Sequence, residues 1–118
     1  MKVIIAGSRT IADYNIVKNA IKQSGWLDEI TIIVSGGARG VDQLALKFAE
    51  DYNITTTVFH PDWKKYRKGA GYKRNVEMAN YGDRLIAIQR NFSKGTDHMI
   101  ETMLKMNKKV FLNQFVWF

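Results

Sequence analysis

The chain contains no cysteine, a single proline and two histidines in 118 residues. Without cysteine there are no disulfides, thiol nucleophiles or thiolate metal sites. Two histidines, with neither an HExxH motif nor a paired spacing, would leave a zinc site dependent on carboxylates, so no metal and no cofactor is expected. Long apolar runs are missing as well. The opening stretch Met1-Lys2-Val3-Ile4-Ile5-Ala6-Gly7 is far too short for a membrane span or a signal peptide. The expectation is therefore a soluble, cytoplasmic protein with no membrane partner. Repeats, low-complexity tracts and linkers are absent too, and residues 1–118, 46% of them hydrophobic, read as one domain with a core.

Acid is the remaining scarcity. Eleven Asp and Glu face 18 Lys and Arg, for a net charge of +7. The excess is concentrated: from Asp62 to Arg74 lie Lys64, Lys65, Arg67, Lys68, Lys73 and Arg74 against the one acid. Such a stretch suits a polyanion or a phosphorylated small molecule, although a solvated lysine-rich loop has the same composition.

What is present is an alternation of short apolar strands with amphipathic helices. Strands are predicted at Lys2–Ala6, Ile30–Val34, Ile54–Phe59, Arg84–Ile88 and Lys109–Leu112. The first helix starts after Asp13 as N-cap, carries Ile16, Val17, Ala20 and Ile21 on one face and stops at Ser24-Gly25. A second carries Val41, Leu44, Ala45, Phe48, Ala49 and Tyr52. A third runs from about Ala70 to Tyr81 with Tyr72, Val76 and Ala79 towards the core. A fourth opens at Ser93-Lys94-Gly95-Thr96 and carries Met99, Ile100, Met103 and Leu104. This order predicts an α/β fold, a Rossmann-like three-layer sandwich with a mostly parallel five-stranded sheet and helices on both faces. Ligands of such sheets bind beyond the carboxyl ends of the strands, where strand order reverses. The unusual loops at 7–9, 35–40, 60–71 and 89–96 all follow strands and should share that edge.

Four motifs carry chemistry. Ser35-Gly36-Gly37-Ala38-Arg39-Gly40 lies between a buried strand and a helix, where glycines allow positive φ, and free amides with the helix N-terminus favour an anion. Its spacing is neither GxxxxGK[ST] nor GxGxxG, so a Walker A loop and a dinucleotide fingerprint are excluded. Arg39 favours a phosphate over a plain turn. Gly95 and Thr96, with Ser93, repeat the device. Gly7-Ser8-Arg9 offers a hydroxyl and a guanidinium for phosphate, or an ion pair from Arg9 to Asp42 or Glu77. Arg74 suits bidentate phosphate binding and Asn75 a bond that steadies a neighbouring loop. Trp63, Tyr66 and Tyr72 are candidates to stack on a base.

In that order, Gly7-Ser8-Arg9, Ser35 through Asp42, Pro61-Asp62-Trp63 with Ala70-Gly71-Tyr72-Lys73-Arg74-Asn75, and Ser93-Lys94-Gly95-Thr96 resemble the YspA/YpsA-related branch of the SLOG superfamily over nearly the whole chain. The resemblance implies a Rossmann-like domain with a pocket for a nucleotide or nucleotide-derived ligand. Relatives in the superfamily include LOG phosphoribohydrolases, a DNA-processing protein, sensor domains of nucleotide-based defence systems, and small phage-encoded sponges that sequester cyclic ADP-ribose-type immune signals. Homo-oligomers are common among them. Two departures stand out. LOG enzymes place acids two and three residues after the Thr of their Gly-Thr pair, where this chain has His98 and Met99, with Asp97 and Glu101 nearby, so the hydrolytic glutamate does not transfer. The segment before Ser93 is Gln89-Arg90-Asn91-Phe92 rather than a small acidic turn.

Both departures favour binding over turnover, and no catalytic residue is assigned. If the protein is an enzyme, Asp42, Glu77 and Glu101 are the candidate acids or bases, provided that one faces the pocket with a raised pKa. The preferred reading is a binder of an ADP-ribose-like or cyclic-nucleotide signal, in its sharpest form an anti-defence phage sponge. A nucleotide-processing hydrolase and a single-stranded nucleic-acid binder are the alternatives. Residues 113–118, Asn113-Gln114-Phe115-Val116-Trp117-Phe118, form an apolar tail expected to bury in a homo-oligomer contact.

Overall fold

The β-branched and aliphatic runs pair into one sheet in the computed structural model, which describes residues 1–115. The strands are β1 (Lys2–Gly7), β2 (Ile32–Ser35), β3 (Thr55–Val58), β4 (Arg84–Arg90) and β5 (Lys109–Phe115). They are joined by α1 (Tyr14–Gln23), α2 (Val41–Asp51), α3 (Trp63–Tyr66), α4 (Ala70–Tyr81) and α5 (Lys94–Lys105). Every pairing is parallel and the order is β3-β2-β1-β4-β5. The chain winds outward from β1 to β3, then returns across the sheet to β4 beside β1. The winding therefore reverses between β1 and β4, and a crevice opens beyond their carboxyl ends.

Alternation along the strands divides the core. Val3, Ile5, Ile33, Ile86 and Ile88 pack with α1 and α2, while Ile4, Val34, Leu85 and Ala87 pack with α4 and α5. Local signals set the helix ends. The Asp13 carboxylate accepts the Asn15 N–H at 2.9 Å and caps α1. At the far end of α4, Lys108 Nζ donates to the carbonyls of Ala79 and Gly82 at 2.6 and 2.8 Å, supplying a cation where the helix dipole is negative.

Several boundaries differ from the sequence expectation. The strand expected from Ile30 begins at Ile32, because Leu27–Glu29 form a 3-10 turn and the Thr31 N–H bonds Met1 O instead. The basic stretch is not a plain loop: Asp62 caps the single turn of α3 by accepting from the Lys65 N–H, and a 3-10 turn at Arg67–Gly69 leads into α4. The inward face of α4 is Ala70, Arg74, Asn75, Met78 and Ala79, so Tyr72 is exposed and Val76 only half-buried. Leu104, named with Met99, Ile100 and Met103 along α5, is 56% exposed. Strand β5 continues through Phe115, which makes residues 113–115 part of the sheet rather than a tail. Residues 116–118 of the expected oligomer contact lie outside the described residues. Among the described residues no helix is long and apolar enough to cross a membrane.

Candidate functional site

The loops after β1, β2 and β4 meet at the reversal point, as the topology requires. Gly7 pairs with Ile88 at the end of β1, and a Cβ there would collide with the Ile88 carbonyl. Ser8 then stitches the two strand ends together. Its N–H donates to Ile88 O at 3.0 Å, and its Oγ accepts the Arg90 N–H at 2.9 Å and donates to Arg90 O at 3.4 Å. This hydroxyl, expected to serve a phosphate, is committed to the frame. Arg9, by contrast, is exposed, and among the described residues no ion pair joins it to Asp42 or Glu77.

The Ser35–Gly40 turn is bonded from within. Ser35 is fully buried; its Oγ donates to Asp42 O and accepts the Gly37 N–H. The Asp42 carboxylate accepts the Ala38 N–H at 3.1 Å, and the Val41 N–H bonds Ser8 O at 3.2 Å. The protein's own carboxylate thus occupies an amide that the sequence offered to a ligand anion. Gly40, at φ +73°, lies against the Ser8 and Arg9 backbone, so it needs glycine for both conformation and space. Asp42 is only 6% exposed, and its pKa is pushed up to about 6. Burial is the main cause, opposed by the Ala38 amide bond and by the charges of Arg74 and Arg9.

Arg74 is also committed. Its Nη1 donates to Gly36 O at 2.6 Å and to Phe59 O at 3.4 Å, and its Nε donates to Asn75 Oδ1 at 3.2 Å. The last bond fixes the Asn75 amide, whose Nδ2 then donates to Gly95 O at 3.1 Å and to His98 Nδ1 at 3.2 Å. His98 therefore accepts through Nδ1 as a neutral ring, consistent with a pKa that burial lowers. A chain of bonds, Gly36–Arg74–Asn75–Gly95, ties the turn before α2 to the turn before α5 across the crevice.

The α5 turn is more open. Ser93 Oγ accepts from Thr96 Oγ1 at 3.1 Å and from the Thr96 N–H at a long 3.5 Å. A Cβ placed on Gly95 would meet nothing within 4 Å. Buried Gln89 anchors this turn from below, donating to Ser93 O at 3.2 Å and Asp97 Oδ1 at 2.9 Å.

Two clefts result. The first, about 380 Å³, is lined by Gly7, Ser8, Arg9, Ala38, Asp42, Arg74, Asn75, Ser93, Gly95 and Thr96 among the expected residues. Thr10, Met78, Phe92 and Met99, not singled out from the sequence as pocket residues, complete it together with Ala6. Phe92 is 76% exposed at its rim. The second, about 360 Å³, takes in Gly36, Gly37, Arg39 and Trp63, with His60 and Pro61. Ser35, Gly40 and Tyr72 line neither cleft: the first two build the turn, and Tyr72 lies against the His98 ring at 4.4 Å. Tyr66, the third proposed stacking ring, lies under the Lys65 and Lys73 ammonium groups instead. Glu77 and Glu101 are exposed and line neither cleft, which leaves Asp42 as the acid that faces the crevice.

The folded domain is similar to known proteins. DNA processing protein A from Streptococcus pneumoniae aligns with 94% of this chain at a TM-score of 0.77 and 20% identity. The Helicobacter pylori protein of the same name aligns with 95% at 0.72 and 22%. The chain spans 49% and 64% of those two proteins, and at such identities the likeness is one of fold. The gene 61 protein of Mycobacterium phage D29 is 34% identical over 116 residues, covering 88% of this chain and 89% of that protein. Residues 1–66, which hold the Gly7 and Ser35–Gly40 turns and Asp42, match the model of the YspA, cpYpsA-related SLOG family. With more than half of its length matched, and with the turns after β1 and β2 inside the match, the chain belongs to that family.

Proposed function

We propose that the protein binds a nucleotide-derived small molecule in the cleft between β1 and β4 and holds it without turnover. The observation that carries this reading is Arg9. It is an exposed guanidinium that no described residue bonds, set at the reversal point of the sheet beside the open α5 turn. A phosphate there meets a fixed charge and the positive end of a helix together. The exposed Phe92 ring at the rim offers a base a surface to stack on. Kinship with a phage protein supports the sharper form, a sponge that removes a signalling nucleotide.

The test is to mix the protein with nucleotides, ADP-ribose isomers and cyclic dinucleotides, and to follow each by chromatography before and after heat denaturation. A compound that disappears and returns unchanged on heating is the expected result. A compound that returns as a product would overturn sequestration and favour the second reading, hydrolysis with Asp42 as general acid or base. Asp42 earns that reading by its place in the cleft with a pKa near 6. Single-stranded nucleic acid is a third reading, favoured by exposed Lys64, Lys65, Arg67, Lys68 and Lys73 and by the binding mode described for the Helicobacter protein. Polyanion binding would weaken steeply with salt, whereas a small ligand in the cleft responds much less.

A further inference from the structure

We infer that the ligand has two ring-bearing lobes joined through phosphate, each lobe occupying one of the two clefts. The inference rests on the reading that this edge of the sheet binds a nucleotide, and it specifies the class of molecule. The two clefts, about 380 and 360 Å³, are neighbours: Arg9, Ala38 and Arg74 line both and form the divide between them. Each volume falls within the range of about 300–1,000 Å³ seen for small-molecule sites, so each cleft can hold a ring-bearing group. Each side also has its own exposed aromatic ring. Phe92 lines only the first cleft and Trp63, 54% exposed, only the second.

The charges follow the same plan. Arg9 stands on the divide, and Arg39 extends the positive charge into the second cleft, which no Asp or Glu lines. Asp42 is the one acid among the residues lining either cleft, and it is turned to the Ala38 amide. A ring, a cationic centre and a second ring match a molecule with a base or sugar at each end and phosphate between. A mononucleotide would leave Trp63 and the second cleft unused.

Calorimetric titration with ADP, diadenosine pyrophosphate and NAD separates the possibilities, because all three carry two phosphates and differ in the second ring. The expected result is that at least one two-lobed probe binds about tenfold more tightly than ADP, the size of one base–aromatic stack. Trp63→Ala should erase that advantage, weakening the two-lobed probe about tenfold more than ADP, while Trp63→Phe, which keeps a ring, should retain most of it. An unchanged melting temperature verifies that the exposed substitutions leave the fold intact. If ADP binds and neither two-lobed probe binds better, or if Trp63→Ala weakens all three equally, the two-lobed assignment fails while the nucleotide cleft stands. If none of the three binds, the two-lobed assignment fails, and the nucleotide reading fails with it only if the chromatographic panel also captures nothing.

Discussion

Two glycine-bearing turns open helices on the same edge of the sheet, one before α2 and one before α5. In the first, the amides of Gly37 and Ala38 are held by Ser35 Oγ and the Asp42 carboxylate, and the Gly36 carbonyl is clasped by Arg74. In the second, the Ser93 cap is long and the space above Gly95 is empty. A buried carboxylate can do for a helix start what a bound anion does, so a turn of suitable composition is not automatically a vacant one. The closed turn is framework, and the open one is the turn to which the proposed function assigns the ligand anion.

Substitutions at the glycines break this contrast most sharply. Gly40→Ala forces a side chain into a left-handed conformation and against the Ser8–Arg9 backbone. It should cost roughly 3 kcal/mol or more of unfolding free energy in denaturant titration. Near-wild-type stability would mean that the first turn is looser than its bonding implies.

Asp42 gives the next effect. Its pKa lies at about 6 when folded against an ordinary 3.8, so the fold is favoured while the group is protonated and loses that advantage as pH rises from about 4 through 6. Asp42→Asn keeps an acceptor for the Ala38 N–H and removes the buried charge. Its stability relative to wild type should therefore improve with pH by up to about 3 kcal/mol between pH 4 and pH 7.5. A difference that is flat across this range would contradict the burial argument. Deprotonated Asp42 also repels a phosphate nearby, so NAD, whose diphosphate keeps one charge state over this range, should bind more weakly at pH 7.5 than at pH 5, by about tenfold, and the variant should flatten that profile.

Arg9→Ala sharpens the contrast from the ligand side. It should lower nucleotide affinity by roughly ten- to a hundredfold, the value of a charge-assisted bond, while moving stability by less than about 0.5 kcal/mol. An unchanged affinity would remove Arg9 from the site. The smallest effect belongs to Gly95→Ala, at an open helical position: about 0.5–1 kcal/mol of added stability, read from the shift in denaturant midpoint. Destabilisation there would show the α5 turn to be as tightly packed as its counterpart.

The architecture was legible because periodicity speaks directly to burial. Strand–helix alternation implied the parallel sheet, and Asp13 and Ser93 marked helix starts that the structure keeps. The site was legible as a set of loops at one edge, since each unusual loop follows a strand. Less readable was which polar groups are spent internally. Ser8, Arg74 and Asp42 have the chemistry of ligand contacts, and only the tertiary approach of Arg90, Gly36 and Ala38 diverts them. The face of α4 was misread for a related reason: Tyr72 is the more apolar choice, but Arg74 and Asn75 turn inward because carbonyls at Gly36 and Gly95 await them. Phe92 lies in the loop 89–96 expected at this edge, but with no periodic partner its ring was not singled out.

The most direct test of the central claim is a nitrogen–proton amide spectrum of the labelled protein titrated with ADP. The account predicts the largest shifts at Arg9, Thr10 and Gly95 through Asp97, around the open turn and the reversal point. Shifts confined to residues 64–73, or no shifts at millimolar ADP, would contradict it.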